Sequence, residues 1–519
     1  MATRHVREAV ANGQAALVGR LPATRTLRLS IVLPLRNEAD LEELLVRLYD
    51  PRSSSFQRFL SVEEFTERFG PSQEDYDAVL RYAAANGLKV TGTAPNRLVV
   101  DVAGPVASIE RAFHVTLGVY QHPTEPRTFY APDREPATDL PFALWHVTGL
   151  DTFSIPHPAG LRQAAAARGS VTGHTTGSGP GGDFIGSDMR AAYYCGTALT
   201  GAGQSLGLLE FAGYNENDVT KYFSKVGQPL TVSVVGVSTD GSSLSCTGSC
   251  DDTEQVLDIE AAISMAPGMS QVRVYVSDTS DVSIFNKMAT DNIAKQLSCS
   301  WGWSPADPSS DDPIFKELHA QGQNLFVASG DSGAYTTRSS DVYPADDAYV
   351  TAVGGTDLTT TGPGGAWKSE TAWADSGGGI SPNKIAIPSY QTAAGIITTA
   401  NKGSKVYRNG PDVAMEANTD NYICYDGTCA GGWGGTSFAA PRWAGYLALA
   451  NQQSVANGLG SLGFVNPLFY AIGTGPNYHK DFHDITSGSN GTYPATPGFD
   501  LATGWGSPNC ANLINDLAP

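Results

Sequence analysis

Between residues 205 and 354, short apolar runs alternate with segments whose apolar positions recur every three or four residues. The runs at 205–211, 271–276, 295–301, 324–329 and 350–354 predict buried strands. The periodic segments at 217–226, 253–265, 280–290, 313–321 and 437–451 predict helices. Strands that are apolar on both faces and separated by helices predict a mostly parallel sheet with helices on both sides. In that architecture reacting groups sit just beyond the C-terminal ends of strands.

The pattern changes towards the N-terminus. Residues 27–35 alternate like a strand, 38–49 form an amphipathic helix, and 61–69 and 72–86 read as further helices. Ser72 caps the last of these and Asn86-Gly87 ends it. A hairpin at 88–93 and 97–102 turns around Pro95-Asn96, and a helix at 106–113 and a strand at 115–120 follow. This succession predicts a small ferredoxin-like α/β sandwich. Residues 157–182 are different material, with alanines at 164–167 and then repeated Gly, Ser and Thr. They predict an exposed linker, either a plain tether or a cleavage site. The expected division is therefore 1–156, 157–182 and 183–519.

Charge sharpens that division. Residues 1–170 carry 18 Lys+Arg against 19 Asp+Glu, whereas the remainder carries 15 against 33, which together give the net charge of −19. The acidic excess argues against nucleic acid and anionic membranes as partners. It fits either plain solubility or tolerance of acid. No run of eighteen apolar residues predicts a spanning helix. The stretch after Arg4 and Arg7 is too polar for a signal-peptide core, so export would use a leader absent from this sequence or an unusual route.

Among the seven cysteines, Cys246/Cys250 and Cys424/Cys429 are spaced to close small disulfide loops, which suits an oxidising compartment. Zinc is the rival reading, but no histidine cluster completes a site. The odd count leaves a thiol over, and Cys299, after an apolar run, is expected to be buried and free.

The chemistry concentrates in three places. Gly435-Thr436-Ser437-Phe438-Ala439-Ala440-Pro441 places a serine at a tight turn into a buried helix. Subtilisin-like proteases carry a similar element, but they need a histidine base. None of the nine histidines here lies in such a context, so another group must take the proton. Glu254 and Asp258 stand at i and i+4 and share one helix face, as a solvated acidic edge or as a buried pair. Asp331, in Ser329-Gly330-Asp331-Ser332-Gly333, directly follows a predicted strand, where it either forms the turn or faces an active site.

Together these elements resemble the sedolisin family of serine-carboxyl peptidases, the kumamolisin-like members above all. Ser300-Trp301-Gly302, Ser376-Gly377-Gly378-Gly379, Pro411-Asp412-Val413 and Asp484-Ile485-Thr486 extend the likeness, and the N-terminal unit resembles the family's pro-domain. The resemblance implies a subtilisin-like peptidase fold, with Ser437 as nucleophile, Glu254 as general base and Asp258 orienting Glu254. Asp331 would be a protonated oxyanion donor, and Glu210 and Trp301 would extend the network. It also implies one structural Ca2+, held by the side chains of Asp484 and Asp500 and the carbonyls of Ile485, Thr496 and Gly498. Thr496 stands where the family often has glycine, a modest departure because only a carbonyl is needed there.

The expected function is an acid-acting, secreted, monomeric endopeptidase made as a zymogen. Its pro-domain would bind the peptidase domain intramolecularly as chaperone and inhibitor, and it would be cut off in the linker at low pH. Two alternatives stand beside it: an exopeptidase of the tripeptidyl-peptidase type, and a secreted calcium-binding scaffold without catalysis.

Overall fold

In the computed structural model, which describes residues 1–163, 176–247, 250–304, 306, 309–336 and 342–519, an eight-stranded sheet organises the larger unit. Its order is Ser233–Ser238, Gln271–Val276, Ser205–Glu210, Gln296–Cys299, Asn324–Ala328, Thr351–Thr360 and Trp367–Ala372, with Val413–Glu416 also paired to Thr351–Thr360. Every pairing is parallel except that of Trp367–Ala372. Alternate residues of a strand feed different cores, as the pleat requires. Leu206, Leu208, Phe326 and Ala328 pack with the helices Thr253–Met265 and Thr436–Ala456. Leu209, Leu325 and Val327 pack on the other face with Asp281–Asp291 and Asp312–Ala320. The apolar runs are thus buried on both faces, as expected.

The helix Thr253–Met265 is buried along its whole length, so its acidic start is no solvated edge. The 157–182 stretch also departs from expectation. His157–Pro158 and Arg162–Gln163 are short strands, and Ala159 is fully buried between them. Composition reads this stretch as exposed because its residues are small and polar, yet an extended backbone finds hydrogen-bond partners in a cleft. The alanines at 164–167 lie outside the described residues.

In the N-terminal unit, Lys89–Thr93, Val99–Pro105, Thr26–Val32 and His146–Thr148 form an antiparallel sheet in that order. This is the strand order of a ferredoxin-like sandwich, but its fourth strand is His146–Thr148. The expected fourth strand, Leu117–Gln121, instead pairs with Leu17–Arg20 and Thr128–Pro132 in a second sheet. Three residues at 146–148 are too few for periodicity to register.

The two units share one apolar cluster, in which Leu41, Leu44, Leu48, Phe65 and Phe69 meet Phe285, Phe315 and Leu318. Polar contacts fix the register of this contact. Asn96 Nδ2 donates to Glu317 Oε2 at 2.6 Å and to Asn286 Oδ1 at 2.7 Å, Ser30 Oγ lies 2.9 Å from Ser280 Oγ, and Lys316 pairs with Glu42 at 2.7 Å.

Three disulfides are present. Cys246–Cys250 and Cys424–Cys429 are the two local ones expected, and Cys195–Cys510 joins residues 315 positions apart. Sequence spacing carries no signal for so distant a pair. Cys299 is buried and free.

Candidate active site

Ser437 is the second residue of Thr436–Ala456 and is fully buried, with its Oγ beside the Glu254 carboxyl. Gly435 precedes the helix because nothing larger fits: a Cβ there would lie 2.6 Å from Asp331 Oδ2. Four residues on, Pro441 lacks the N–H that would otherwise bond the Ser437 carbonyl. Ser300 takes its place, with Oγ 3.3 Å from Ser437 O and 2.8 Å from Asp258 Oδ1. One hydroxyl therefore links the nucleophile's backbone to the acidic helix.

Asp331 follows the buried strand Asn324–Ala328 and is itself fully buried. Its Oδ1 accepts Thr436 N at 2.7 Å and Thr436 Oγ1 at 2.8 Å, and Thr436 Oγ1 in turn accepts Gly330 N at 3.0 Å. With Oδ1 committed as an acceptor, a proton on Asp331 belongs on Oδ2. Beneath this turn a Cβ on Gly377 would lie 1.8 Å from Ser329 O, so Gly377 permits a close backbone approach.

Glu254, Asp258 and Glu210 are buried carboxyl groups. Burial and the neighbouring Asp258 push Glu254 well above the ordinary range, while the Ser437 hydroxyl pulls the other way. Asp258 is pushed up by burial and by the neighbouring Glu210, and Glu210 is pushed up by burial and by Glu254. Trp301 Nε1 donates to Glu210 Oε2 at 2.9 Å. Buried carboxyls whose charges repel cannot all ionise, so the set holds protons to higher pH than free carboxylates do. The structure thus brings Ser437, Glu254, Asp258, Asp331, Glu210 and Trp301 together. No histidine is among the residues lining the cleft beside them.

Sequence reasoning missed the specific parts of Ser300 and Thr436, although both stand inside motifs it singled out. Pro411-Asp412-Val413 turns out to be scaffold. Asp412 receives Arg408 through both oxygens at 3.1 and 2.7 Å, and also Tyr470 Oη at 2.8 Å, all buried.

The cleft is occupied by the chain itself. His157 and Pro158 pair antiparallel with Gly302 and Trp301, and Ala159 N donates to Ser300 O at 2.9 Å. Beyond the crossing, Arg162 and Gln163 pair antiparallel with Gly434 and Trp433. Residues 159–161 therefore cross between Ser300 and the turn that carries Ser437.

Away from the cleft, Asp484 accepts Gly498 N at 3.2 Å, and Asp500 accepts Thr496 N at 3.0 Å. Ile485 is buried nearby with Ala495 and Ala502. A separate cluster joins half-buried Asp357 with buried Glu416 and Asp420, whose carboxylate oxygens lie within 4.8 Å of one another. No helix among the described residues is long and apolar enough to cross a membrane.

A parallel sheet, a serine opening a buried helix and carboxyl groups converging on it define a serine-carboxyl peptidase. Residues 13–153 match the family described as Pro-kumamolisin, activation domain, and residues 264–459 match the Subtilase family. The chain is 32% identical over 536 residues to kumamolisin of Bacillus sp. (strain MN-32), covering 97% of this chain and 94% of that protein. It is 30% identical over 549 residues to sedolisin of Pseudomonas sp. (strain 101), covering 96% and 88%. A solved structure of Pseudomonas sedolisin, a serine-carboxyl proteinase complexed with two molecules of pseudo-iodotyrostatin, matches with TM-score 0.56 at 28% identity. That match covers 64% of this chain and 96% of that one. The chain belongs to the sedolisin family of serine-carboxyl peptidases and carries that family's N-terminal activation domain.

Proposed function

We propose that this peptidase works in acid as an endopeptidase, with Ser437 as nucleophile, Glu254 as general base and Asp258 as the group that orients it. Asp331, protonated on Oδ2, donates to the developing oxyanion. Glu210 and Trp301 hold Asp258 in place. The carrying observation is the convergence of buried carboxyl groups on a buried serine whose hydroxyl lies beside Glu254. A carboxyl can donate a hydrogen bond only while protonated, so the working range is acidic.

The threaded segment supports cleavage within chains. Residues 157–163 continue from the activation domain on one side and run on towards the peptidase domain on the other, so neither end of the crossing is blocked. In this reading residues 1–156 are the pro-domain, 157–182 contain the maturation cut and 183–519 form a secreted, monomeric enzyme. Disulfides suit an oxidising compartment. At about pH 4 the purified chain should shorten to the peptidase domain, with the new N-terminus mapped by mass spectrometry. A chain that stays intact and inert there would count against the reading.

Linkage gives the two units opposite responses to acid. A carboxyl with a raised pKa contributes stability below its ordinary value and loses it as the pH rises through the raised one. Burial pushes Glu317 up to about 8, and burial with the neighbouring Asp357 pushes Asp420 up to about 7. Glu254, Asp258, Glu260, Asp311 and Glu416 are shifted the same way, and they outnumber His319 and His483, which are shifted down. In the pro-domain burial also raises Asp101, but the larger shift is that of His146, which burial, His5 and Arg7 hold well below its ordinary 6.5. That contribution is complete above 6.5 and is lost as the pH falls. Calorimetry of the Ser437→Ala chain between pH 7 and 4 should show the pro-domain transition falling while the peptidase transition rises. A parallel fall of both would contradict the assignment.

One Ca2+ fits the loop at 484–500. Its two carboxylates, Asp484 and Asp500, have no lysine or arginine partner among the described residues. The nearest basic group to Asp484 is His479, with Nδ1 at 3.9 Å. Ile485, Thr496 and Gly498 supply carbonyls on the same loop, which suits a hard cation. Saturating calcium should raise the melting temperature of the mature enzyme by several degrees, a shift typical of occupancy near 100 Kd, about 2.7 kcal/mol. Asp500→Asn should remove the difference between calcium and chelator. An unchanged difference would place the ion elsewhere.

A further inference from the structure

The segment that crosses the cleft places one large side chain in an apolar pocket. A Cβ on Gly160 would lie 3.0 Å from Asp331 Cβ, so residue 160 sits against the candidate oxyanion donor. Leu161, the first large side chain beyond it, packs against Leu257, Ile423 and Phe438, with Tyr425 and Trp433 at the sides. This pocket is tied to the catalytic groups by chain continuity: Leu257 adjoins Asp258 and Phe438 adjoins Ser437. Its outer wall is the hairpin of Asn421–Tyr425 and Thr428–Gly434, clamped by Cys424–Cys429. Within that wall the Tyr425 and Trp433 rings meet edge to face with centroids 4.9 Å apart.

We propose that this pocket is a specificity-determining subsite that selects a large apolar side chain one or two residues downstream of the bond cut. The inference rests on Ser437 being the nucleophile. Leu257, Ile423 and Phe438 are buried and apolar, so a charged side chain there would lose its hydration without gaining a partner. A small side chain would leave apolar wall uncovered. An open volume of about 570 Å³ lies beside the segment, lined in part by Leu161, Thr253, Glu254 and Trp433. None of Leu257, Ile423 and Phe438 lines that volume, so the selectivity rests on the apolar contacts around Leu161 alone.

The test uses the mature enzyme at acid pH. Denatured casein is digested first, and the cut bonds are mapped by mass spectrometry. Peptides built on one mapped bond then carry Leu, Phe, Ala or Asp at the selected position. The Leu peptide should be cut fastest, Ala about 10- to 100-fold more slowly, and Asp more slowly still, with the Phe peptide reporting how much larger a side chain the pocket takes. Trp433→Ala and Tyr425→Ala should bring the Leu-to-Ala ratio towards one while the Ala peptide keeps its rate within a few-fold. Equal rates for all four peptides with wild type, or an unchanged ratio in both variants, would overturn the subsite. Cleavage that survives Ser437→Ala would instead overturn the nucleophile assignment, and the subsite with it.

Discussion

Replacing Ser437 by alanine is expected to leave the full 54.6 kDa chain intact at acid pH and to lower peptide hydrolysis by about 10⁴- to 10⁶-fold. Alanine removes only the hydroxyl oxygen beside Glu254 and no backbone contact, so the fold has little reason to change. Its Cβ sits where the serine Cβ sits, and the helix Thr436–Ala456 keeps its packing. The intact variant should keep residues 157–163 in the cleft and should not cut added protein. The readouts are gel mobility with time and release of acid-soluble peptides. Processing and digestion at the wild-type rate would show that another residue attacks the carbonyl.

The second large effect is expected at Glu254. Glutamine preserves its shape but cannot accept a proton from Ser437, so general-base catalysis disappears, with a loss of about 10²- to 10⁴-fold. Charge adds a distinguishing sign. Glu254 is held well above the ordinary carboxyl range by burial and by Asp258, so ionising it costs the fold stability. Glutamine cannot ionise, and the variant should therefore tolerate neutral pH better than wild type. Low activity together with a smaller loss of melting temperature between pH 4 and 8 is the expected pair of results. A folded variant that keeps wild-type activity would remove Glu254 from the base role.

Much of this was legible in the chain. The alternation of buried runs and periodic segments placed the central strands, and the helix at 253–265 was predicted to the residue. Glu254, Asp258, Asp331 and Ser437 could be singled out because each sits at a local signal, an i,i+4 pair, a glycine-flanked strand end or a helix start. The second sheet of the pro-domain was missed because its pairing of Leu17–Arg20 with Leu117–Gln121 spans about a hundred residues. Leu17–Arg20, for instance, is exposed along its length and carries no alternation to read.

The sequence alone therefore determined the local elements, the chemical groups and the absence of a suitably placed histidine. Those properties depend on residue type and spacing over a few positions. Only the tertiary structure decided the burial that raises the carboxyl pKa values, the link from Ser300 to both Asp258 and Ser437, and the path of residues 157–163 through the cleft. It also decided the pairing of Cys195 with Cys510. Each of these depends on groups distant in sequence meeting in a medium that excludes water, and no local pattern encodes such a meeting.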